Sequence, residues 1–249
     1  MIVLSPEQAV TIKNRLLPER PGPLIGAHVL NTGHGACCVD RWPAPRAAMF
    51  IAADNFSFVG DAMAFNAIEL QARVQGYVEI PEAFLPLLKL AFPQARPWER
   101  VIFERRMPVK ISAAEACFVR RLTRDDAYHL WAFSPANFWI SKTWGGPLGL
   151  AASGFAWGAF VHDQLASVAC TFYLGEKYED IGVVTEPQFR GRGLSTACAA
   201  ALCEDIEARG HHPSWSTSPD NSASVRVAEK LGFTLHRRDL LYLVGIPLP

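Results

Sequence analysis

The chain has 249 residues, of which 50% are apolar and 19% are charged, so it can bury a sizeable core in one large domain or two small ones. Its 24 basic and 24 acidic residues give a formal net charge of zero, and the basic residues are scattered along the chain. This charge distribution excludes a dominant electrostatic attraction to nucleic acid or to an anionic membrane. We therefore expect a globular protein with neither nucleic acid nor membrane as its partner.

The cysteines favour a reducing compartment. None of the six forms the paired C-x-x-C spacing of a zinc site, and several lie in apolar helical or strand-like runs, so we interpret most of them as small buried residues. The six are Cys37, Cys38, Cys117, Cys170, Cys198 and Cys203. The first residues lack the basic start and apolar stretch of a signal peptide. We expect a cytoplasmic protein without a bound metal.

The first block of the chain runs from Ser5 to about Pro108 and reads as a mixture of helices and short strands. Ser5 is placed to cap a helix that begins at Pro6. Strand candidates separated by turn residues follow at 35–42, 47–53 and 56–62, and then a helix over 81–92 and a strand over 100–105. The block predicts a small α/β domain.

A second block opens near residue 117 with a strand, and Thr123 and Asp126 then form the signature of a helix start. We place the domain boundary near residue 112, which gives domains of residues 1–112 and 113–249. The stretch from Thr143 to His162 carries no Asp, Glu, Lys or Arg, but six glycine or proline positions interrupt it. We interpret it as a loop followed by a buried strand.

The most informative stretch begins at Phe155. Two strands joined by a tight turn and a third strand over 178–186 predict an antiparallel meander. A glycine-containing turn over 188–195 comes next and opens a helix that runs to about Arg209. The predicted apolar face of this helix consists of Leu194, Ala197, Cys198, Ala201, Leu202 and Ile206.

The turn at Gly191 and Gly193 has the features of an anion site. Unpaired N–H groups at the positive end of a helix dipole favour a phosphate, and Arg190 and Arg192 add charge at the rim. A plain tight turn has the same appearance, so both interpretations stay open from these residues alone. Leu194 stands where a P-loop needs lysine, and the third glycine of a dinucleotide site is missing.

Two segments together carry a resemblance to a known family. The segment Gln188–Gly193 resembles the acyl-CoA motif of the GNAT superfamily of N-acetyltransferases, and 215–233 resembles its later Asn-x-x-Ser/Ala helix that ends in Lys-x-Gly-Phe. The form is similar to the zwittermicin-resistance branch, over residues 118 to 245. The resemblance implies a mixed, mostly antiparallel sheet flanked by helices, preceded by a smaller α/β domain that is a degenerate relative of the same fold.

The resemblance also implies acetyl-CoA as co-substrate and assigns its contacts. Val183, Val184 and Thr185 would pair with the pantetheine arm through their backbone. The turn and the helix start would meet the pyrophosphate through Gln188, Phe189, Arg190, Gly191, Arg192, Gly193, Leu194, Ser195 and Thr196. Asn221 and Ser224 would contact the cofactor from the later helix, with helix capping as the alternative role.

The catalytic residues implied by the resemblance are acidic. Asp180 would serve as base or as the carboxylate that holds the amine, with Glu179 beside it; because side chains alternate along a strand, only one of the two can face the acceptor. The chain departs from the family pattern at Ala228, where the superfamily has the tyrosine that protonates the CoA thiolate. Substitutes are Ser224, Tyr173, Tyr242 or water.

We therefore expect an N-acetyltransferase that moves an acetyl group to a primary amine of a small molecule. The alternative, favoured by Ala228, is a non-catalytic acyl-CoA-binding or regulatory protein. We expect acceptor specificity to arise from the N-terminal domain together with the aromatic segment Trp131–Trp157. His34, His211 and His212 are interpreted as loop residues, and a homodimer is left open.

Overall fold

The computed structural model describes residues 1–16, 18–107, 109 and 118–248. Contacts divide the chain into two compact units. The N-terminal unit comprises Met1–Glu19, Pro23–Arg100 and Arg238–Pro249, and the C-terminal unit comprises Arg20–Gly22 and Val101–Arg237. The boundary predicted at residue 112 lies outside the described residues, so the division into 1–112 and 113–249 stays a prediction.

The N-terminal unit alternates short helices with a sheet. Its elements are β1 (Ile2–Val3), α1 (Pro6–Val10), α2 (Ile25–Thr32), β2 (Ala36–Val39), β3 (Ala47–Ala52), β4 (Asn55–Gly60), α3 (Ala67–Gln71), β5 (Gly76–Glu79), α4 (Leu85–Ala91) and the first half of β6 (Arg96–Arg105). Strands β2, β3 and β4 pair antiparallel, and β5 pairs parallel with β4. The three strand candidates and the helix near 81–92 are thereby confirmed.

The start of α1 shows why local sequence signals predict this unit well. Ser5 Oγ accepts from the Gln8 N–H, and the Gln8 side chain accepts in return from the Ser5 N–H. This reciprocal capping box satisfies two N–H groups that a helix start leaves unpaired. Pro6 follows at the first helical position, where its fixed φ suits the helix.

The C-terminal unit is a sheet covered by helices. Its elements are the second half of β6, β7 (Phe118–Arg121), α5 (Ala127–Trp131), α6 (Pro147–Ala152), β8 (Ala156–Val161), β9 (Gln164–Leu174), β10 (Tyr178–Thr185), α7 (Leu194–Ala208), β11 (His212–Thr217), α8 (Ser222–Lys230) and the first part of β12 (Phe233–Val244). From Arg238 onward β12 belongs to the N-terminal unit, where its last residues pair with β5. Strands β7 to β10 form an antiparallel meander, β11 pairs parallel with β10, and β6 pairs antiparallel with β11. The predicted meander and mixed, mostly antiparallel sheet are confirmed.

Two apolar clusters cover the two faces of this sheet. One joins Ile181 and Trp215 to the buried side of α7 and to α8. The other joins Val184 and Val168 to the segment around Ile140. Because side chains alternate along a strand, Asp180 and Ser214 lie on the face opposite α7, which we call the Asp180 face.

Two details of the sequence interpretation need correction. The stretch that begins at Thr143 was predicted as a loop followed by a strand. Instead, a 3-10 helix ends at Trp144, α6 follows from Pro147, and β8 begins at Ala156. In α7 the buried residues include Ala199 and Cys203, whereas Ala197 and Ala201 are only half-buried. The buried stripe is therefore rotated from the predicted one, since the helix packs its i, i+4 and i+5 positions against the sheet.

In the part of the chain that the structure describes, no helix combines the length and the apolar character that crossing a membrane requires.

Candidate functional site

The site is centred where two parallel strands separate. Register pairs between β10 and β11 run from Tyr178 opposite His212 to Ile181 opposite Trp215, and among the described residues none lies beyond Ile181. Strand β10 nevertheless continues to Thr185, and its other edge stays paired with β9 throughout. The backbone of 182–185 on the β11 side is therefore an open strand edge that an extended ligand can pair with.

At the end of β10 the chain turns into α7 through two glycines in the left-handed region. Gly191 and Gly193 both have φ of +77°. A Cβ on Gly191 would meet no atom within 4 Å, so this backbone borders open space. No side chain of the described residues caps the N-terminus of α7, whereas α1, α3 and α8 are each capped by one. The first N–H groups of α7 are thus available to an anion.

A buried carboxylate fixes the position of this turn. Glu186, 6% exposed, accepts hydrogen bonds from the N–H and Oγ of Ser134 at 3.1 and 3.0 Å and from Asn137 Nδ2 at 2.7 Å. It therefore ties the end of β10 to the 3-10 segment Pro135–Trp144. Sequence reasoning missed Glu186, because a carboxylate beside a proline in a turn reads as a solvated residue.

Asp180 occupies the last paired part of β10. Its side chain is 4% exposed, and its Oδ1 accepts hydrogen bonds from Ser214 Oγ and Ser216 Oγ, each at 3.0 Å. Both serines belong to β11, so the two hydroxyls hold the carboxylate where the strands begin to separate. Glu104 of β6 lies opposite Ser214 and adds a second carboxylate to the Asp180 face. The sequence motifs identify neither these serines nor Glu104 as site residues.

An aromatic wall lies beside Asp180. Between β10 and β9 the register passes from Asp180 opposite Tyr173 to Ile181 opposite Thr171, so Phe172 is an extra, bulged residue. The rings of Phe172 and Tyr173 are 4.8 Å apart, and the ring of Trp139 meets Phe172 at 5.3 Å. The bulge brings two neighbouring rings of β9 together.

Glu179 points to the other face of the sheet. Glu179 is 0% exposed. Its carboxylate accepts hydrogen bonds from Arg209 at 2.8 Å and from Thr171 Oγ1, and it lies 2.9 Å from His211 Nδ1. Burial would lower the pKa of Arg209, but its hydrogen bonds to Glu179 and Asp205 outweigh burial and raise that pKa. Glu179 therefore belongs to a buried ionic network at the end of α7.

The later helix is capped as the alternative interpretation proposed. Asn221 Oδ1 accepts from the Ser224 N–H at 3.1 Å, and Ser224 Oγ accepts from the Trp215 indole at 2.9 Å. Ala228 is fully buried in the cluster that covers the α7 face. Gly232 ends the helix with φ of +83°, where a Cβ would lie 1.9 Å from the Met107 carbonyl oxygen.

The tryptophans of the aromatic segment Trp131–Trp157 have different surroundings. Trp144 Nε1 donates to the Thr171 carbonyl at 2.7 Å, and Trp157 Nε1 donates to Asp205 at 3.3 Å. Trp131 is 65% exposed. Of these tryptophans, Trp139 is the one whose ring contact links it to the bulge beside Asp180.

Tyr242, the remaining candidate proton donor, and two buried thiols are limited by their surroundings. Tyr242 belongs to the N-terminal unit, where it pairs with Val78 of β5. Burial raises the pKa of the Cys203 thiol to about 12 and also raises that of Cys170, so neither thiol supplies a thiolate nucleophile near neutral pH.

Comparison with known proteins shows the family to which the chain belongs. The profile of the GNAT acetyltransferase family matches residues 113–242. A Streptomyces virginiae protein, named as an uncharacterized N-acetyltransferase in the mutA 5' region, is 39% identical over 214 residues, which are 85% of this chain and 90% of that protein. The chain therefore belongs to the GNAT family of N-acetyltransferases.

Solved structures agree on the fold over almost the whole chain. A GCN5-related N-acetyltransferase-like protein from Streptococcus suis 89/1591 superposes with a TM-score of 0.72 at 19% identity, covering 96% of this chain and 99% of that one. A GNAT-family acetyltransferase from Colwellia psychrerythraea gives a TM-score of 0.62 at 12% identity and covers 98% and 99%. The similarity includes the N-terminal unit as well as the region that the family profile matches.

Proposed function

We propose that this protein transfers an acetyl group from acetyl-CoA to the primary amine of a small molecule. The observation that carries the proposal is the start of α7, which no described side chain caps, directly beside the open edge of β10. Acetyl-CoA would supply an activated acyl group as a thioester. The roles of the chain's own residues follow from their positions.

The part of the site formed by the end of β10 and the start of α7, here called the donor end, fits an anionic, extended ligand. The open space at Gly191 and the N–H groups of 193–196 suit a pyrophosphate, and Arg190 and Arg192 are exposed next to them. The edge of Val183, Val184 and Thr185 supplies backbone groups to an amide-containing arm. Glu186 keeps these two parts in fixed relation through Ser134 and Asn137.

The part of the site around Asp180, here called the acceptor end, fits a cationic amine. Asp180 is the carboxylate that would hold the amine and accept its proton, and the rings of Phe172, Tyr173 and Trp139 supply an apolar wall. Glu179 is the weaker candidate for this role, since Arg209 and Thr171 already occupy its carboxylate on the opposite face. We therefore assign acceptor binding to Asp180.

The thiolate needs a proton, and Ser224 is one source. An indole N–H can only donate, so Ser224 Oγ is the acceptor in its bond with Trp215 and its own O–H is left to donate elsewhere. Tyr173, which lies opposite Asp180, is the other candidate. A thiol is also acidic enough for water to serve.

A non-catalytic acyl-CoA-binding protein is the second candidate. Ala228 favours it, because a buried alanine stands where a proton donor is expected. The cluster of Asp180, Ser214 and Ser216 favours catalysis, since binding of CoA alone does not require a held carboxylate. The buried cysteines suit a reducing compartment, and we propose a cytoplasmic location on that ground.

Calorimetry on two matched glycine variants tests the donor site. Gly191 and Gly154 have φ of +77° and +80°, and a Cβ on either would meet no atom within 4 Å. Gly191→Leu should abolish acetyl-CoA binding because its side chain fills the space at the turn, whereas Gly154→Leu carries the same backbone strain and should bind normally. Unchanged affinity in a folded Gly191→Leu protein would refute the placement.

A further inference from the structure

The segment Arg20–Gly22 precedes α2 in the chain, yet by its contacts it belongs to the C-terminal unit. Pro21 and Gly22 are both buried. A Cβ on Gly22 would lie 3.3 Å from Ile102 Cγ2, so the segment passes directly over β6. This places a short piece of N-terminal chain beside the strands that carry the Asp180 face.

A single peptide group of this segment is hydrogen-bonded at both ends. The Pro21 carbonyl accepts from Arg237 Nη1, and the Gly22 N–H donates to Ser214 Oγ at 3.2 Å. In a trans peptide the C=O and the N–H point in opposite directions within one rigid plane. The group therefore connects β12 to β11 across the strand that lies between them.

Ser214 passes this connection on to Asp180. Its hydroxyl has one hydrogen, and the Gly22 N–H takes one of its lone pairs. The hydrogen is then directed to Asp180 Oδ1 at 3.0 Å, since the alternative acceptor, the Glu179 carbonyl, is more distant at 3.4 Å. Hydrogen bonds in such a chain polarise one another, and the Arg237 cation stands at its donor end.

We propose that the chain of Arg237, the Pro21–Gly22 peptide and Ser214, here called the peptide bridge, positions the Asp180 carboxylate for the acceptor amine. Arg237 and Ser214 are thus positioning residues that act through Asp180. The inference rests on the proposed function, because it is the acceptor amine that the positioned carboxylate receives.

The conformation of Gly22 is part of the bridge. Its φ of +121° is rarely adopted by residues with a side chain, and a Cβ there would lie 2.9 Å from Arg237 Nη2. A side chain at this position would be strained at this φ and would displace the guanidinium that binds the Pro21 carbonyl. The segment therefore requires glycine at position 22, which its position in an irregular turn does not reveal.

A double-mutant cycle tests the bridge in the full chain. Ser214→Ala and Arg237→Met should each lower kcat/KM for the amine roughly tenfold, and the double variant should lose no more than either single one, because both act through the same hydrogen bonds. Ser214→Thr should recover most of the activity. Acetyl-CoA affinity and Tm report folding, and Arg238→Met, which removes the neighbouring exposed arginine, should leave kcat/KM unchanged.

The outcomes separate the bridge from the proposed function. Losses that multiply to about a hundredfold in the double variant, or none in either single variant, would overturn the bridge while wild-type turnover stands. No turnover by the wild type with any amine would overturn the proposed function and with it the acceptor role. If Arg237→Met fails to fold, Gly22 amide exchange in Ser214→Ala decides: at least tenfold acceleration supports the bridge, and no change contradicts it.

Discussion

Asp180 and Glu179 are neighbours on one strand, yet their side chains lie on opposite faces of the sheet and have different partners. Serine hydroxyls hold Asp180, whereas a guanidinium holds Glu179. Alternation along a strand predicts that only one can face the acceptor. The partners that distinguish them, Ser214 and Arg209, are 34 and 30 residues away in the chain, so sequence alone leaves the choice open.

Replacing Asp180 tests the role of the carboxylate. Asp180→Asn keeps the shape but removes the charge and the proton acceptor, so kcat/KM for the amine should fall about 100-fold. Acetyl-CoA affinity, measured by calorimetry, should stay the same. The control is Asp163→Asn in the exposed β8–β9 turn, which should change neither quantity. Full activity of Asp180→Asn would exclude it as base and as amine-holding residue.

Replacing Glu179 should act on stability. Glu179→Gln removes one of the two counter-charges of Arg209 and leaves Asp205 as the other. It should lower the free energy of unfolding by about 2 kcal/mol, less than for a fully buried pair because Arg209 is 26% exposed. Urea unfolding measures this, with the exposed Glu204→Gln on the same helix as control. If instead stability is unchanged and turnover is lost, Glu179 is a catalytic residue after all.

At the scale of elements, local signals predicted the starts of helices and the meander well. The capping box of Thr123 and Asp126 is present as expected. The same signals could not reveal α6. Glycine and proline residues usually indicate a loop, but at this point they form the turn before the helix and its first position. Nor could they reveal the bulge at Phe172, which depends on pairing with β10.

The start of α5 should give a pH-dependent stability. Two hydrogen bonds from Arg120 lower the pKa of Asp126 from 3.8 to about 2. A lowered native pKa stabilises the fold above the unfolded value, and this contribution is lost as pH falls from about 4 towards 2. Asp126→Asn should therefore cost about 1–2 kcal/mol at pH 7 and almost nothing near pH 2.

Urea unfolding across this pH range measures the effect, with the exposed neighbour Asp125→Asn as control. A cost for Asp126→Asn that does not change with pH would show that the Arg120 ion pair contributes nothing.

At the scale of the whole molecule, the family motifs identified the C-terminal region but not all of its parts. The second half of β6, from Val101 onward, and the segment Arg20–Gly22 belong to the C-terminal unit although both precede residue 113. Neither contains a motif, because β6 supplies only sheet pairing and the segment Arg20–Gly22 supplies only backbone hydrogen bonds. Contacts this distant in the chain are invisible to local patterns.

A fragment of residues 113–249 should therefore fold poorly. It lacks Val101 and Phe103, which are 4% and 6% exposed, and it lacks the strand that pairs with β11 over Ser214–Thr217. Losing the burial of these two side chains lowers the free energy of unfolding by about 4 kcal/mol, and β11 becomes an open edge of the sheet. Circular dichroism during heating should show no cooperative transition, whereas residues 96–249, which restore β6, should recover one. Cooperative melting of 113–249 would contradict this assignment of β6.

Thiol release from acetyl-CoA in the presence of a panel of primary amines tests the central claim most directly. The panel contains cationic amines with and without an apolar body, and mass spectrometry identifies the acetylated product. We expect release that depends on the amine and is fastest for those with an apolar body, because the carboxylate of Asp180 stands beside aromatic rings. Binding of acetyl-CoA with no amine-dependent release across the panel would contradict catalysis and favour a binding protein.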